Sequence, residues 1–160
     1  LIETKSTNTG DNFRFSIKLL EQSKINYSKI LIVHDYHSER RTLSSAKAII
    51  KDKEIFITSP DICFDDYLKY LETKREVAID IISAVVGDIQ RLIIYSQFGW
   101  QVDNDVPNYV MEAYDFLKKM GFDKYILSHN QIEDLINKFG IKEGYDSVRS
   151  FSNEEVIPST

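Results

Sequence analysis

The chain has 160 residues, 42% of them apolar, enough to bury one sizeable core, so a single domain is expected. Its formal net charge of -5 excludes a general binder of nucleic acid or anionic membranes, because those partners favour a basic footprint. One cysteine, Cys63, excludes an internal disulfide framework and a thiolate metal cage, and no run approaches the roughly 20 apolar residues of a membrane span.

The first predicted element is a helix from Asp11 to about Lys24. Phe13, Ile17 and Leu20 share one face, and Thr9 is the expected N-cap. Ile30 to Val33 is a β-branched and aliphatic run of the kind a parallel sheet buries on both faces. Helical spacing returns from Arg40 to about Ile50, through Leu43, Ala46 and Ile49. Glu54 to Thr58 reads as a second strand, stopped by Ser59 and Pro60, and the two strands are expected to be parallel neighbours.

Past Pro60 the pattern turns helical. Asp65 to about Ser96 fits one long helix or two, with Gly87 as the expected interruption, since glycine costs about 1 kcal/mol relative to alanine inside a helix. Phe98 to Pro107 reads as a loop, and Pro107 opens a helix through Val110, Leu117 and Met120 that stops at Gly121. Tyr125 to Leu127 is predicted to be a last short strand. A helix from about Gln131 to Phe139 follows, closed by Gly140, with His129 near its start. In domain terms, residues 1–60 form part of an α/β core, 61–145 a helical extension completing the same domain, and 146–160 a loose tail. Three or four strands fall short of the roughly five or six in a doubly wound sheet, so further strands are expected ahead of Leu1.

Two polar clusters stand out as candidate sites. Glu3, Ser6, Thr7, Asn8, Thr9 and Asn12 precede and open the first helix, where free backbone amides and short polar side chains suit an anionic ligand. Glu3 is an acceptor for hydroxyls, an amine or a metal. The bland reading of the same residues is helix capping and local turns. The second cluster, His37, Arg40 and Arg41, follows the first strand. Adjacent helical residues point about 100° apart, so one arginine is expected in the cleft, clamping a carboxylate or phosphate, and the other in solvent. Its bland reading is a solvated helix start with Glu39 as ion partner. Glu3 and His37 are the candidate catalytic groups, His37 because its ring titrates near neutral pH. Gly-x-Gly-x-x-Gly, P-loop, Cys-x-x-Cys and His-Glu-x-x-His motifs are all missing, and no metal site is expected. Gly87 and Asp88 fit a helix facing the cleft, but Asp88 and Arg91, three residues apart, fit a surface pair equally well, and Tyr95, Phe98 and Trp100 fit packing over the helices better than a base-stacking platform.

The phrase Glu-x-x-Ser-Thr-Asn-Thr-x-Asp-Asn ahead of a helix, then a buried strand and Arg-Arg-Thr, resembles the YdcF/SanA/ElyC-like family of bacterial proteins of unknown function. Val86-Gly87-Asp88-Ile89-Gln90-Arg91-Leu92 and the Val106-Pro107 helix resemble its YdcF branch. That resemblance implies a Rossmann-like three-layer α/β sandwich with a mostly parallel sheet plus C-terminal helices. It implies S-adenosylmethionine or a similar nucleotide or anionic ligand at the sheet's carboxyl edge, in a binding protein or a S-adenosylmethionine-dependent transferase. The alternative expectations are an envelope-linked regulatory protein and a phosphoester hydrolase acting on a lipid-carrier intermediate. A small-molecule partner is expected, not nucleic acid. The expected location is the cytoplasm, with membrane association if an anchor precedes Leu1.

Overall fold

The computed structural model describes residues 1–73 and 77–141. In chain order it contains α1 (Thr9–Gln22), β1 (Lys29–Val33), a 3-10 turn (Tyr36–Ser38), α2 (Glu39–Ile49), β2 (Glu54–Thr58), α3 (Phe64–Thr73), α4 (Ala78–Gln97), α5 (Asn108–Lys119) and α6 (His129–Phe139). The expected tail, residues 146–160, lies outside the described residues.

β1 and β2 are parallel, with Lys29 opposite Glu54 and Val33 opposite Thr58, and α2 is the crossover between them. Lys29 Nζ lies 2.9 Å from Glu54 Oε2 across the pair. Exposure alternates along both strands. Ile30, Ile32, Ile55 and Ile57 are partly buried on the face that packs against α2, whereas Leu31, Val33 and Phe56 are exposed on the other.

The chain therefore does not form the Rossmann-like three-layer sandwich with a mostly parallel sheet that the sequence suggests. Among the described residues it is a small α/β domain of six α-helices around a two-stranded parallel sheet. A β-branched run allows burial on both faces without requiring it, and here one face of the sheet is covered. The predicted strand at Tyr125–Leu127 does not form. Its backbone finds a partner in a side chain: Leu127 N–H donates to Gln90 Oε1 at 2.7 Å, and Gln90 Nε2 donates to Leu127 C=O at 3.1 Å. One amide on α4 thus does locally what a neighbouring strand would do.

Three local expectations also change. The N-cap of α1 is Asn8, not Thr9; Asn8 Oδ1 accepts from the Asp11 N–H at 2.9 Å, and Thr9 becomes the first helical residue. Gly87 does not interrupt the long helical stretch. α4 runs through it, and the division comes between Thr73 and Ala78. Pro107 stands at the N-cap of α5, one place before the first helical turn.

α4 is the hub, packing against α2, α3, α5 and the 3-10 turn. Tyr67 and Leu71 of α3 meet Ile81 near its start, and Ile132 of α6 meets Ile94 near its end. The buried residues of its neighbour α2 are all small, Thr42, Ser44, Ser45 and Ala46. The loop after α4 is strapped to α2: Asn104 Nδ2 donates to Ser44 Oγ at 2.9 Å, and Ser44 Oγ donates to Val102 C=O at 3.1 Å. Among the described residues no helix is long and apolar enough to cross a membrane.

Candidate functional site

Where the N-terminus of α1 faces α2 and α4, a cleft of about 540 Å³ opens. Arg14 of α1, Arg41 of α2 and Arg91 of α4 line it, and Tyr95, Trp100 and Phe139 form an aromatic wall. Three arginines against the single carboxylate of Asp11 leave a formal +2 on its walls, in a chain whose net charge is -5. Trp100 stacks on Phe98 at 4.8 Å between ring centroids and meets Tyr95 and Phe139 edge-on, so the wall is both packing and cleft lining.

The arginines differ in how they are held. Arg14 Nη1 lies 3.2 Å from Asp11 Oδ1, one helical turn away on an exposed surface. Arg41 Nε lies 2.8 Å from Asp88 Oδ1 with both side chains largely buried, and Ser38 Oγ donates to the other Asp88 oxygen at 2.9 Å. The Arg41 Nε–H does not align with that carboxylate, so the contact is an ion pair more than a directed hydrogen bond. Arg91 has no carboxylate partner among the described residues. Arg41 and Arg91 also line a second cavity of about 500 Å³, with His37, Ser38, Asp80, Asp88 and Tyr125, and so form the wall the two spaces share. In that cavity Asp80 pairs with Lys124 at 2.6 Å, and this hydrogen bond, then Tyr125, raises the Lys124 ammonium above its ordinary pKa.

The sequence-predicted residues distribute as follows. Arg41 faces the clefts, while Arg40 Nη2 donates to the Asp105 carbonyl and ties α2 to the loop before α5. His37 lines the second cavity, with its Nδ1 2.8 Å from the Tyr67 hydroxyl. Ser6, Asn8, Thr9 and Asn12 line a groove of about 350 Å³ together with Ile32, Val33 and His34 at the end of β1; Asn8 and Thr9 also reach the arginine cleft. Thr7 is exposed and lines neither space. Glu3 lies apart, in a groove beside Phe15, Lys18 and Leu19 of α1. Its carboxylate closes a local turn by accepting the Lys5 and Ser6 N–H groups. The Ser6 hydroxyl, then the Lys5 amide, hold it below the usual carboxylate pKa. Asp35 and His34 sit with Val33, Ile62, Tyr67 and Leu71 around a largely apolar hollow of about 680 Å³ at the strand ends. Among the described residues no three His, Cys, Asp or Glu side chains gather to hold a metal ion.

Arg14 has no place in the sequence expectations, whereas Asp88 and Arg91, which the sequence fits equally well to a cleft-facing helix and to a surface pair, line cavities. The available signal was their spacing: Asp88 and Arg91 sit one and four residues past Gly87, on the helix that meets α2. No family model matches the chain, and no solved structure does. It is 32% identical over 122 residues, 76% of its length, to an uncharacterized protein of Streptomyces coelicolor, and it spans about half of that protein, 53%.

Proposed function

We propose that the chain binds a small organic phosphate, with a nucleotide as the representative ligand, in the cleft between α1, α2 and α4. The phosphate lies against Arg41 and Arg91, and the ring lies along Tyr95 and Trp100. The observation that carries this reading is Arg91, a guanidinium without a carboxylate partner among the described residues, on the shared wall of two cavities and beside a second arginine. A planar guanidinium grips phosphate bidentately, and a nearby aromatic wall suits a base or similar ring. The volume falls in the range of small-molecule sites, about 300 to 1,000 Å³.

S-adenosylmethionine, the ligand implied by the resemblance, offers the same adenosine and a carboxylate. It also brings a sulfonium and an ammonium to a cleft of net positive charge, so a phosphate-bearing nucleotide fits better. The reading is of binding without turnover. Ser38 donates its hydroxyl to Asp88 and His37 Nδ1 bonds to the Tyr67 hydroxyl, so the Ser38 hydroxyl is directed at Asp88 and not at His37.

Calorimetry with adenosine monophosphate (AMP), adenosine and S-adenosylmethionine tests this. AMP is expected to bind roughly tenfold to a hundredfold more tightly than adenosine, the equivalent of about 1.5 to 3 kcal/mol for a charged hydrogen bond. Arg91→Ala is expected to narrow that difference about tenfold, Arg41 supplying the remainder. Equal affinities for AMP and adenosine would overturn the reading.

A further inference from the structure

We infer that Gly87 is a positioning residue for Arg91, the small residue that lets its guanidinium lie back across α4 to the wall between the two cavities. This rests on the reading of Arg91 as a phosphate ligand. The two residues stand one turn apart, and helical side chains lean toward the N-terminus, so the Arg91 stem runs over the turn that contains residue 87. A Cβ at position 87 would lie 2.6 Å from Arg91 Nη1, far inside contact distance. It would also lie 2.6 Å from the Tyr125 carbonyl oxygen and 3.0 Å from its carbon.

That carbonyl closes the other escape. Tyr125 is held over the helix by the paired hydrogen bonds between Gln90 and Leu127, on the same face of α4. A side chain at 87 therefore meets both at once: the flexible guanidinium swings away from it, and the Tyr125 backbone must shift as well, a strain that is present whether or not residue 91 is arginine. The result is an Arg91 displaced from the wall it shares with Arg41. Gly87 thus has a role in ligand binding that its position inside a helix hides, since glycine there only weakens the helix by itself.

The test is a double-mutant cycle on the whole chain, with AMP affinity and thermal midpoint measured for the native protein, Gly87→Ala, Arg91→Ala and the double variant. Gly87→Ala is expected to weaken AMP about tenfold when Arg91 is present and less than about twofold when it is alanine, while its effect on the thermal midpoint stays the same in both backgrounds. Equal weakening in both backgrounds overturns the positioning role and leaves Arg91 as a ligand. Unchanged AMP affinity in Arg91→Ala overturns the phosphate reading and this inference with it. If Gly87→Ala does not fold, the native chain still decides: nuclear Overhauser contacts between the Gly87 α-protons and the Arg91 guanidinium are expected, and their absence overturns the proposal.

Discussion

Arg40 and Arg41 show how far single residues can be read. That neighbouring helical positions point in different directions follows from helix geometry, and one arginine does turn to Asp88 and the clefts while the other reaches the Asp105 carbonyl. Arg40→Ala is expected to leave AMP affinity within about twofold, because an exposed contact of this kind contributes little. Arg41→Ala is expected to weaken AMP and also to destabilise the fold by about 2 to 3 kcal/mol, since Asp88 would remain largely buried without its cation; urea unfolding measures the second effect. Glu3 responds to pH. Its folded pKa is depressed, so the turn it closes is fully favoured above the ordinary value of 4.5 and is lost as pH falls through the lower folded value. The Lys5 and Ser6 amide resonances should shift in that acid window and stay constant from there to neutrality. Arg14 was not legible in the sequence, and Arg91 only ambiguously, for a simple reason. A lone arginine in a helix has the same local signature whether it meets water or lines a cleft, and only the packing of α1, α2 and α4 distinguishes the cases.

Among the elements, long periodic segments were readable and their ends were not. The first helix begins two residues from the predicted Asp11, yet its cap is Asn8, because asparagine is a stronger N-cap than threonine and its side-chain carbonyl reaches the Asp11 N–H. Asn8→Ala should therefore lower stability by about 1 kcal/mol, and Thr9→Ala by clearly less, in the same unfolding assay. Tyr125–Leu127 carries a strand's composition but gains its backbone partner from Gln90, a pairing 37 residues distant that no local pattern encodes. Gln90→Ala removes both buried hydrogen bonds, and a loss of about 2 kcal/mol is expected. Gly87 was identified as special for the wrong reason: it marks a close approach, not a break in the helix.

At the scale of the molecule, the parallel pairing of β1 and β2 followed from composition and from the helix between them, whereas the extent of the sheet did not. Apolar strands look alike whether one face or both are covered, so the inference from run to multistranded sandwich had no physical warrant beyond the resemblance. The surroundings of the candidate site were partly legible. The polar turn ahead of α1 does border a groove at the end of β1, but the concentration of positive charge lies around the other side of Asn8 and Thr9, against α4. These two places can be distinguished directly. Titrating AMP into the isotopically labelled chain and following its nuclear magnetic resonance spectrum maps the ligand onto residues. The arginine cleft account expects the largest shifts at the Arg41 and Arg91 side chains and the Trp100 indole; shifts confined to Ser6, Asn12 and His34, with those three unmoved, would contradict it.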